Sequence, residues 1–140
     1  MQRATLDGAN LSGARVTADL TGARLVGALL TGANLSADMK NQSMGLMRAV
    51  LKSSNLERAI LREADLSRVD LEFASLKNTD LTNASLRGAA LGGAILAGVI
   101  INGADFNCAD LASTRLIDPI GFDAAKNFDK AQNLDRLLRE

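Results

Sequence analysis

Residues 64–88 read ADLSR VDLEF ASLKN TDLTN ASLRG, which is a run of five units of five residues. The centre of each unit is leucine, and the residue two positions earlier is small. The same step continues on both sides, so that fourteen large apolar residues follow one another at a spacing of five from Leu51 to Leu116. No residue two positions before them is larger than valine. Two size rules therefore hold together throughout this stretch.

A period of five excludes both common secondary structures. Residues five apart in an α-helix lie about 140° apart around its axis, so the leucines would face every direction. Because the side chains of a strand alternate, an odd period would place successive leucines on opposite faces. We predict instead a coil in which each unit forms one side of a square, with the leucine and the small residue pointing inward. Four units then make one turn of about twenty residues.

The most regular units identify a family. They are ANLSG at 9–13, ANLSA at 33–37, ADLSR at 64–68 and ADFNC at 104–108. These units resemble the tandem repeats of the pentapeptide-repeat family, and the resemblance covers roughly residues 4–118. It implies an all-β fold, a right-handed quadrilateral β-helix, often with short helices at its ends. The handedness follows from the resemblance and not from the period. We assign residues 1–118 to this β-helix.

The N-terminal third keeps the pattern with two shortened steps. Its large positions are Leu6, Leu11, Val16, Leu20, Leu25, Leu30, Leu35 and Met39. The steps from 16 to 20 and from 35 to 39 are one residue short, and we expect both at the same corner of successive coils. The pattern then fails at residues 40–48, where Met44 can continue it but the next clear centre is Leu51. We interpret 40–48 as a bulge or small loop, and a functional loop is the alternative.

The C-terminal segment has a different pattern. The repeat ends near Pro119, which cannot donate a hydrogen bond to a ladder. Beyond it, apolar residues recur at steps of three and four opposite a charged side, namely Phe128, Ala131, Leu134 and Leu138. This spacing predicts one amphipathic helix, or two short helices broken near Asn127. We therefore predict that residues 119–140 form a helical C-terminal cap, which would cover the last apolar layer and its strand edges.

The composition restricts the function. The length of 140 residues suits a single domain, and 16 Lys and Arg balance 16 Asp and Glu. Because the net charge is zero and no apolar run approaches the ~20 residues of a membrane helix, we expect neither a nucleic-acid partner nor a membrane. The chain has no His and a single Cys, Cys108, in an outward position. We therefore predict no enzyme activity and no catalytic, cofactor-binding or metal site.

Asp or Asn often precedes the large residue, as at Asn10, Asp65 and Asp80. A ladder of carboxylates could bind cations. Short polar side chains also accept hydrogen bonds from turn amides, and every unit needs such an acceptor. We favour the second interpretation.

Four residues are candidates for contact with another protein. Residues 88–104 contain no charge, and within them Ile95 and Ile100 fall in outward positions on adjacent sides. Phe73 also takes an outward position, either as a contact residue or as a cover for the irregular segment. Leu137 is the leucine that we expect to be most exposed on the C-terminal cap. Because the first coil has no cover, we expect a weak homodimer through one end of the β-helix.

These features favour a non-catalytic structural or protein-binding scaffold, whose protein partner the sequence does not identify. The alternative, a DNA-mimicking inhibitor of a type II topoisomerase such as DNA gyrase, comes from the resemblance. Gyrase-inhibiting members of the family are regarded as mimics of the DNA duplex, which implies a long rod with a strongly acidic face. This chain has no net charge and carries mixed charges on most sides. An enzyme of unrecognised type is the third class. We expect a cytoplasmic location, and a processed exported chain would have a similar N-terminus.

Overall fold

The computed structural model describes residues 2–37 and 48–139, which form a coil whose sides are the five-residue units. In unit 64–68, Asp65 bridges neighbouring coils, Leu66 is buried, and Ser67 and Arg68 make the turn. The second turn residue has a left-handed backbone, with φ of 60° at Arg68. This conformation costs an L-residue roughly 1–2 kcal/mol. Glycine avoids that cost, and one coil later Gly88 takes the same corner with φ of 66°.

Parallel bridges stack the coils into four ladders, which consist of the residues that precede the large residues. The first ladder contains Thr5, Arg24, Asn55, Ser75, Ile95, Arg115 and Leu138. The second contains Asn10, Leu29, Ile60, Asp80, Ile100 and Ile120. The third contains Arg15, Asn34, Asp65, Ser85, Asp105 and Lys126. The fourth contains Asp19, Val50, Asp70, Ala90, Asp110 and Gln132. The chain therefore returns to the same four positions in each turn.

Three short segments on the first ladder are regular strands. They are β1 (Ile95–Ala97), β2 (Arg115–Ile117) and β3 (Leu138–Arg139), which form a parallel sheet in the order β1-β2-β3. The register pairs Leu96 with Leu116, so leucines of successive coils lie one above the other. Strands stay short because the chain turns a corner after every unit.

The interior follows both size rules of the sequence. Leucines at the centres of the units and small residues two positions earlier are buried, with Leu71 and Ala74 both 0% exposed. Phe106 takes a leucine position and is also fully buried. Thr79 and Thr114 take small positions, and their hydroxyls each donate to a backbone carbonyl of the neighbouring coil at 2.7 Å. Leu6, Leu11 and Val16 of the first coil are only partly buried, and the predicted inward positions that the structure describes from Leu20 to Leu116 are confirmed.

The irregular segment changes the register in one respect. Val50 belongs to the fourth ladder, and the Leu20 N–H donates to its carbonyl at 2.7 Å. Leu51 therefore takes the place next to Leu20 that the sequence pattern gave to Met39, so that assignment was wrong. Either residue is apolar enough for the core, and only the bonds between coils distinguish them. Met39 and Met44 themselves lie outside the described residues, as does most of the predicted loop.

The C-terminal segment does not form the predicted amphipathic helix. It contains three short 3-10 helices, Phe122–Ala124, Phe128–Lys130 and Leu134–Arg136. The residues between them extend the ladders, since Lys126 bridges Asp105, Gln132 bridges Asp110 and Leu138 bridges Arg115. The chain thus passes Pro119 and completes a further coil. The prediction of a helical cap is corrected to a cap made of one more coil with longer sides.

The longer sides follow from a six-residue repeat. Residues 121–138 read GFDAAK NFDKAQ NLDRLL. The first residue of each unit has a left-handed backbone, with φ of 80°, 57° and 60° at Gly121, Asn127 and Asn133. Apolar residues three apart pack against the core, namely Phe122, Ala125, Phe128, Ala131, Leu134 and Leu137. A step of three also occurs on one face of a helix, which is why the sequence pattern suggested one.

Local hydrogen bonds close the C-terminal end. In the preceding coil, the Cys108 N–H donates across to the Lys130 carbonyl at 3.1 Å. The Lys130 N–H instead donates within its own turn, to the Asn127 carbonyl at 3.0 Å. The Phe128 ring packs edge-on against Phe106, with ring centres 5.2 Å apart. The last coil therefore covers the core, and some backbone groups at its edge form hydrogen bonds within the coil itself. In the described part of the chain, the first coil has a neighbouring coil on one side alone.

The substitution Asn127→Ala distinguishes this coil from a helix. Asn127 has φ of 57°, and its side-chain amide donates to Asp105 Oδ1 at 3.0 Å. We expect alanine to lower the free energy of unfolding by about 1–3 kcal/mol in urea titrations, because it loses that bond and strains the left-handed backbone. Asn127→Gly is the control, since it removes the bond without the strain. In a helix, alanine would stabilise the chain, and that result would contradict the six-residue coil.

Candidate functional site

The Asp and Asn side chains before the large residues hold the turns. In unit 64–68, Asp65 Oδ1 accepts a hydrogen bond from the Ser67 N–H at 3.0 Å. The same bond, to the N–H two residues later, is made by Asn10, Asp19, Asn34, Asn55, Asp65, Asp70, Asp80, Asp105 and Asp110. The structural interpretation of these residues is confirmed. In residues 2–37 and 48–139, no cluster of His, Cys, Asp or Glu could hold a metal ion.

Within residues 2–37 and 48–139, three carboxyl groups have a lowered pKa. The hydrogen bond from the Val26 N–H is the main cause that lowers the pKa of Asp7, and a threonine hydroxyl lowers the pKa of Asp19. Partial burial raises the pKa of Asp105, but hydrogen bonds, first among them that from Asn127, outweigh burial and the pKa lies below its usual value. A general acid near neutral pH needs a raised pKa. All three carboxylates serve as hydrogen-bond acceptors in the fold, Asp7 between coils and Asp19 and Asp105 in turns.

Two of the predicted contact residues lie together. Ile95 on the first ladder and Ile100 on the second both face outward and are half-buried. Beside Ile100 on the second ladder lies Ile120, which is 53% exposed. Ile117 and Leu138 lie on the same side as Ile95, and Leu138 is 49% exposed. We call these five residues the apolar band.

The other two predicted contact residues lie apart from the apolar band. Phe73 is at the corner after the fourth ladder and is 60% exposed. Its ring lies over Gly93, and Lys52 Nζ is 5.8 Å from the ring centre. Leu137 packs against the core, so the exposed leucine of the last coil is Leu138. The expectation that Leu137 is the more exposed one was therefore wrong, and its role in contact stays a prediction.

The sequence pattern missed Ile120 and Leu138 as surface residues. Both belong to the segment that was interpreted as a helix, where their orientation depends on the helix register. The six-residue repeat is the signal that could have placed Leu138, because Lys126, Gln132 and Leu138 hold the same position in successive units.

A cleft of about 440 Å³ lies at the corner between the third and fourth ladders. Small residues, among them Gly88 and Ala90, form its floor, and Arg48, Arg68 and Arg87 line it. The free thiol of Cys108 and the amides of Asn107 and Gln132 are on the C-terminal side. The sequence pattern did not predict this cleft, because Arg48 joins the corner only through the irregular segment.

The sequence comparison identifies the family. A family model of pentapeptide repeats matches the chain in eight copies, over residues 1–36, 46–83 and 79–118. The chain is a pentapeptide-repeat protein. The resemblance seen in its five-residue units is therefore confirmed. None of the curated proteins matches this pentapeptide-repeat chain in sequence.

Solved structures of pentapeptide-repeat proteins are similar to this chain. One, from the Arabidopsis thaliana thylakoid lumen, is 28% identical with a TM-score of 0.55, and the match covers 84% of this chain and 71% of that one. HetL, involved in heterocyst differentiation regulation in the cyanobacterium Nostoc, is 28% identical with a TM-score of 0.54. The match covers 99% of this chain and 65% of HetL. QnrB1, a plasmid-mediated fluoroquinolone resistance protein, is 20% identical with a TM-score of 0.60. The match covers 86% of this chain and 61% of the QnrB1 structure.

These pentapeptide-repeat structures establish the coarse fold as a right-handed β-helix. At 20% identity, the likeness to QnrB1 shows the fold alone. The chain spans 65% of HetL and 61% of the QnrB1 structure. Across the part of the chain that the structure describes, no helix has the length and apolar character needed to cross a bilayer.

The position of Phe73 can be tested through Gly93. A methyl group added at Gly93 would lie 2.5 Å from the Phe73 ring, whereas one added at Gly32 meets nothing within 4 Å. Both glycines have positive φ, 69° and 67°, so alanine strains the backbone equally at the two sites. We expect Gly93→Ala to lower the melting temperature more than Gly32→Ala does. A Phe73→Ala background should abolish the difference, and a difference that persists there would contradict the contact.

Proposed function

We propose that this chain is a non-catalytic, quadrilateral β-helix that binds a partner protein through its outer surface. The interior is filled by leucine and small side chains, so a substrate has no space inside. The carboxylates that could have served catalysis or metal binding hold turns instead. The four ladders support a four-sided coil, and each side presents one row of outward residues to a partner.

The apolar band is the observation that carries this proposal. Ile100 bridges Ile120 on the second ladder, so two large apolar groups stand on neighbouring coils there, and Ile95 and Ile117 lie on the adjacent side. Isolated apolar residues are common on protein surfaces, but contiguous ones mark contact sites. On the first ladder Arg115 lies between Ile95 and Leu138, so the contiguous apolar part of the band is formed by Ile95, Ile100, Ile117 and Ile120.

Inhibition of a topoisomerase by DNA mimicry is the weaker candidate. The fourth ladder places Asp19, Asp70 and Asp110 at alternate levels, but the uncharged Val50 and Ala90 lie between them. Their carboxylates also hold turn amides. Such a row is less acidic than the phosphate backbone of DNA, which carries one charge per ~1.7 Å of duplex.

Affinity capture from the native host tests the scaffold proposal. We expect a protein that is captured by the wild-type chain and lost with Ile100→Glu/Ile120→Glu, because each charge would be buried without a partner. Leu29→Glu is the matched control, since Leu29 stands on the same ladder away from the band and is 37% exposed. Equal capture by all variants would exclude the apolar band as the surface that binds the partner. In a DNA-supercoiling assay, the chain should not inhibit gyrase. Inhibition at low micromolar concentration would favour DNA mimicry over the scaffold proposal.

Self-association through the first coil is a second proposal on partners. Among the described residues, Thr5, Asn10, Arg15 and Asp19 bridge to a neighbouring coil on one side alone. Leu6, Leu11 and Val16 pack only partly against the core. Unpaired strand edges attract other chains, and a second copy offers an identical edge. Since the last coil forms local bonds, the first coil is the better end for a weak homodimer.

Sedimentation velocity at several concentrations tests this homodimer. We expect a concentration-dependent dimer in the wild type, and Leu11→Glu should shift it to monomer because the charge would be buried at the contact. Ile100→Glu should leave the dimer intact. A circular dichroism spectrum like that of the wild type controls for folding of Leu11→Glu. If Ile100→Glu alone gives monomers, the apolar band is the self-association surface and the end contact is excluded.

A further inference from the structure

Three arginines stand at one corner of the molecule on successive coils. Arg48 precedes the fourth ladder, Arg68 is the left-handed residue one coil later, and Arg87 lies in the turn of the next coil. The Arg48 guanidinium donates to the Arg68 carbonyl at 2.7 Å. A methyl group added at Gly88 would lie 3.2 Å from Arg68 Cγ, so the Arg68 side chain crosses the corner beside this glycine. The arginines therefore form a row along the axis of the coil.

The charged groups around this row differ in whether they already have a hydrogen-bond or ion-pair partner. Among the described residues, the Arg68 guanidinium has no hydrogen bond or ion pair, and it is exposed. Arg87 is paired with Asp105 at 3.1 Å. Asp110 Oδ1 already accepts hydrogen bonds from the Ala112 N–H at 3.0 Å and from Asn133 at 2.8 Å. Among the described residues, Asp105 and Asp110 thus serve the fold, while the Arg68 guanidinium and the other Arg48 nitrogens have donors available in the cleft.

We propose that this cleft binds an acidic peptide segment of a partner protein, its carboxylates on Arg48 and Arg68. Guanidinium groups bind carboxylates with paired hydrogen bonds. The coils are about 4.8 Å apart, so the arginines form a row that a line of acidic side chains can match, and they do not converge on a single oxyanion. This inference deepens the proposed scaffold function and rests on it.

The shape of the cleft suits an extended backbone. Its floor contains Gly88, Ala89 and Ala90, none with more than a methyl group, so a peptide can approach the coil closely. Asn107 and Gln132 lie beyond Arg48 and Arg68 at the C-terminal end of the row, where their amides can donate to and accept from the main chain of a peptide that runs along it. Side chains of an extended peptide alternate, so every second residue, about 6.6–6.8 Å along, would face the arginines, and the long Arg and Glu side chains span the difference from the ~4.8 Å spacing of the coils.

Fluorescence anisotropy with the full chain tests this site. The probe is a fluorescein-labelled ten-residue peptide of alternating Glu and Gly, in buffer of about 0.05 M ionic strength, where screening is weak. We expect Arg48→Gln/Arg68→Gln to weaken binding about fivefold or more. Arg58→Gln is the matched control, because Arg58 belongs to the same coil as Arg68 and is also exposed. Both have a left-handed backbone, with φ of 58° at Arg58 and 60° at Arg68, but Arg58 lies at a different corner. Its binding should equal that of the wild type.

Several results would overturn the proposal. Equal weakening by Arg58→Gln would show unspecific attraction, and equal binding of a Lys-Gly peptide would exclude charge recognition. Tighter, Arg68-dependent binding of a ten-residue oligothymidylate would assign the cleft to nucleic acid. Displacement of the peptide by an equal concentration of inorganic phosphate would assign it to a small oxyanion. If the peptide does not bind while partner capture still depends on Ile100 and Ile120, this inference fails and the scaffold proposal stands.

Discussion

Backbone hydrogen bonds between stacked coils determine where every other group of this molecule lies. The Leu71 N–H donates to the Ala90 carbonyl at 2.8 Å, and the Ala90 N–H donates back to the Val69 carbonyl at 3.0 Å. Because such pairs recur on each side, equivalent residues of successive units line up in columns. A column inside the coil has room for one large and one small side chain per unit. A column at a corner requires a left-handed residue, and Asp or Asn before the leucine supplies the acceptor for the turn.

The interior was predictable from the sequence because its rule is local. Each unit repeats the same inward pair, so Leu66 and Ala64 could be placed without knowledge of any other coil. The register next to Leu20 was not predictable, since Met39 and Leu51 are both apolar and only a bond to Val50 decides between them. A local pattern cannot specify which residue closes a turn after an irregular segment.

The C-terminal coil shows a different limit of sequence patterns. Apolar residues three apart fit one face of a helix and also the inward positions of a six-residue unit. The decisive residues are Gly121, Asn127 and Asn133, since a left-handed residue at every sixth position interrupts a helix and forms a corner. Because this segment was predicted to be a helix, the exposure of Ile120 and Leu138 was not predicted either. Their position on the surface depends on the coil continuing past Pro119. The five-residue pattern does not predict that continuation, because the units there are six residues long.

The two proposed binding surfaces differ in chemistry and in position. The apolar band lies around the corner between the first and second ladders, and the arginine cleft lies at the corner between the third and fourth. In a coil with four ladders in chain order, these corners are opposite each other. Cross-coil bonds and the filled core hold the two surfaces at a fixed separation, so a partner bound at one leaves the other accessible. In the proposed scaffold role, the distance between these two corners would determine where partners are held, because each surface is supported by its own columns.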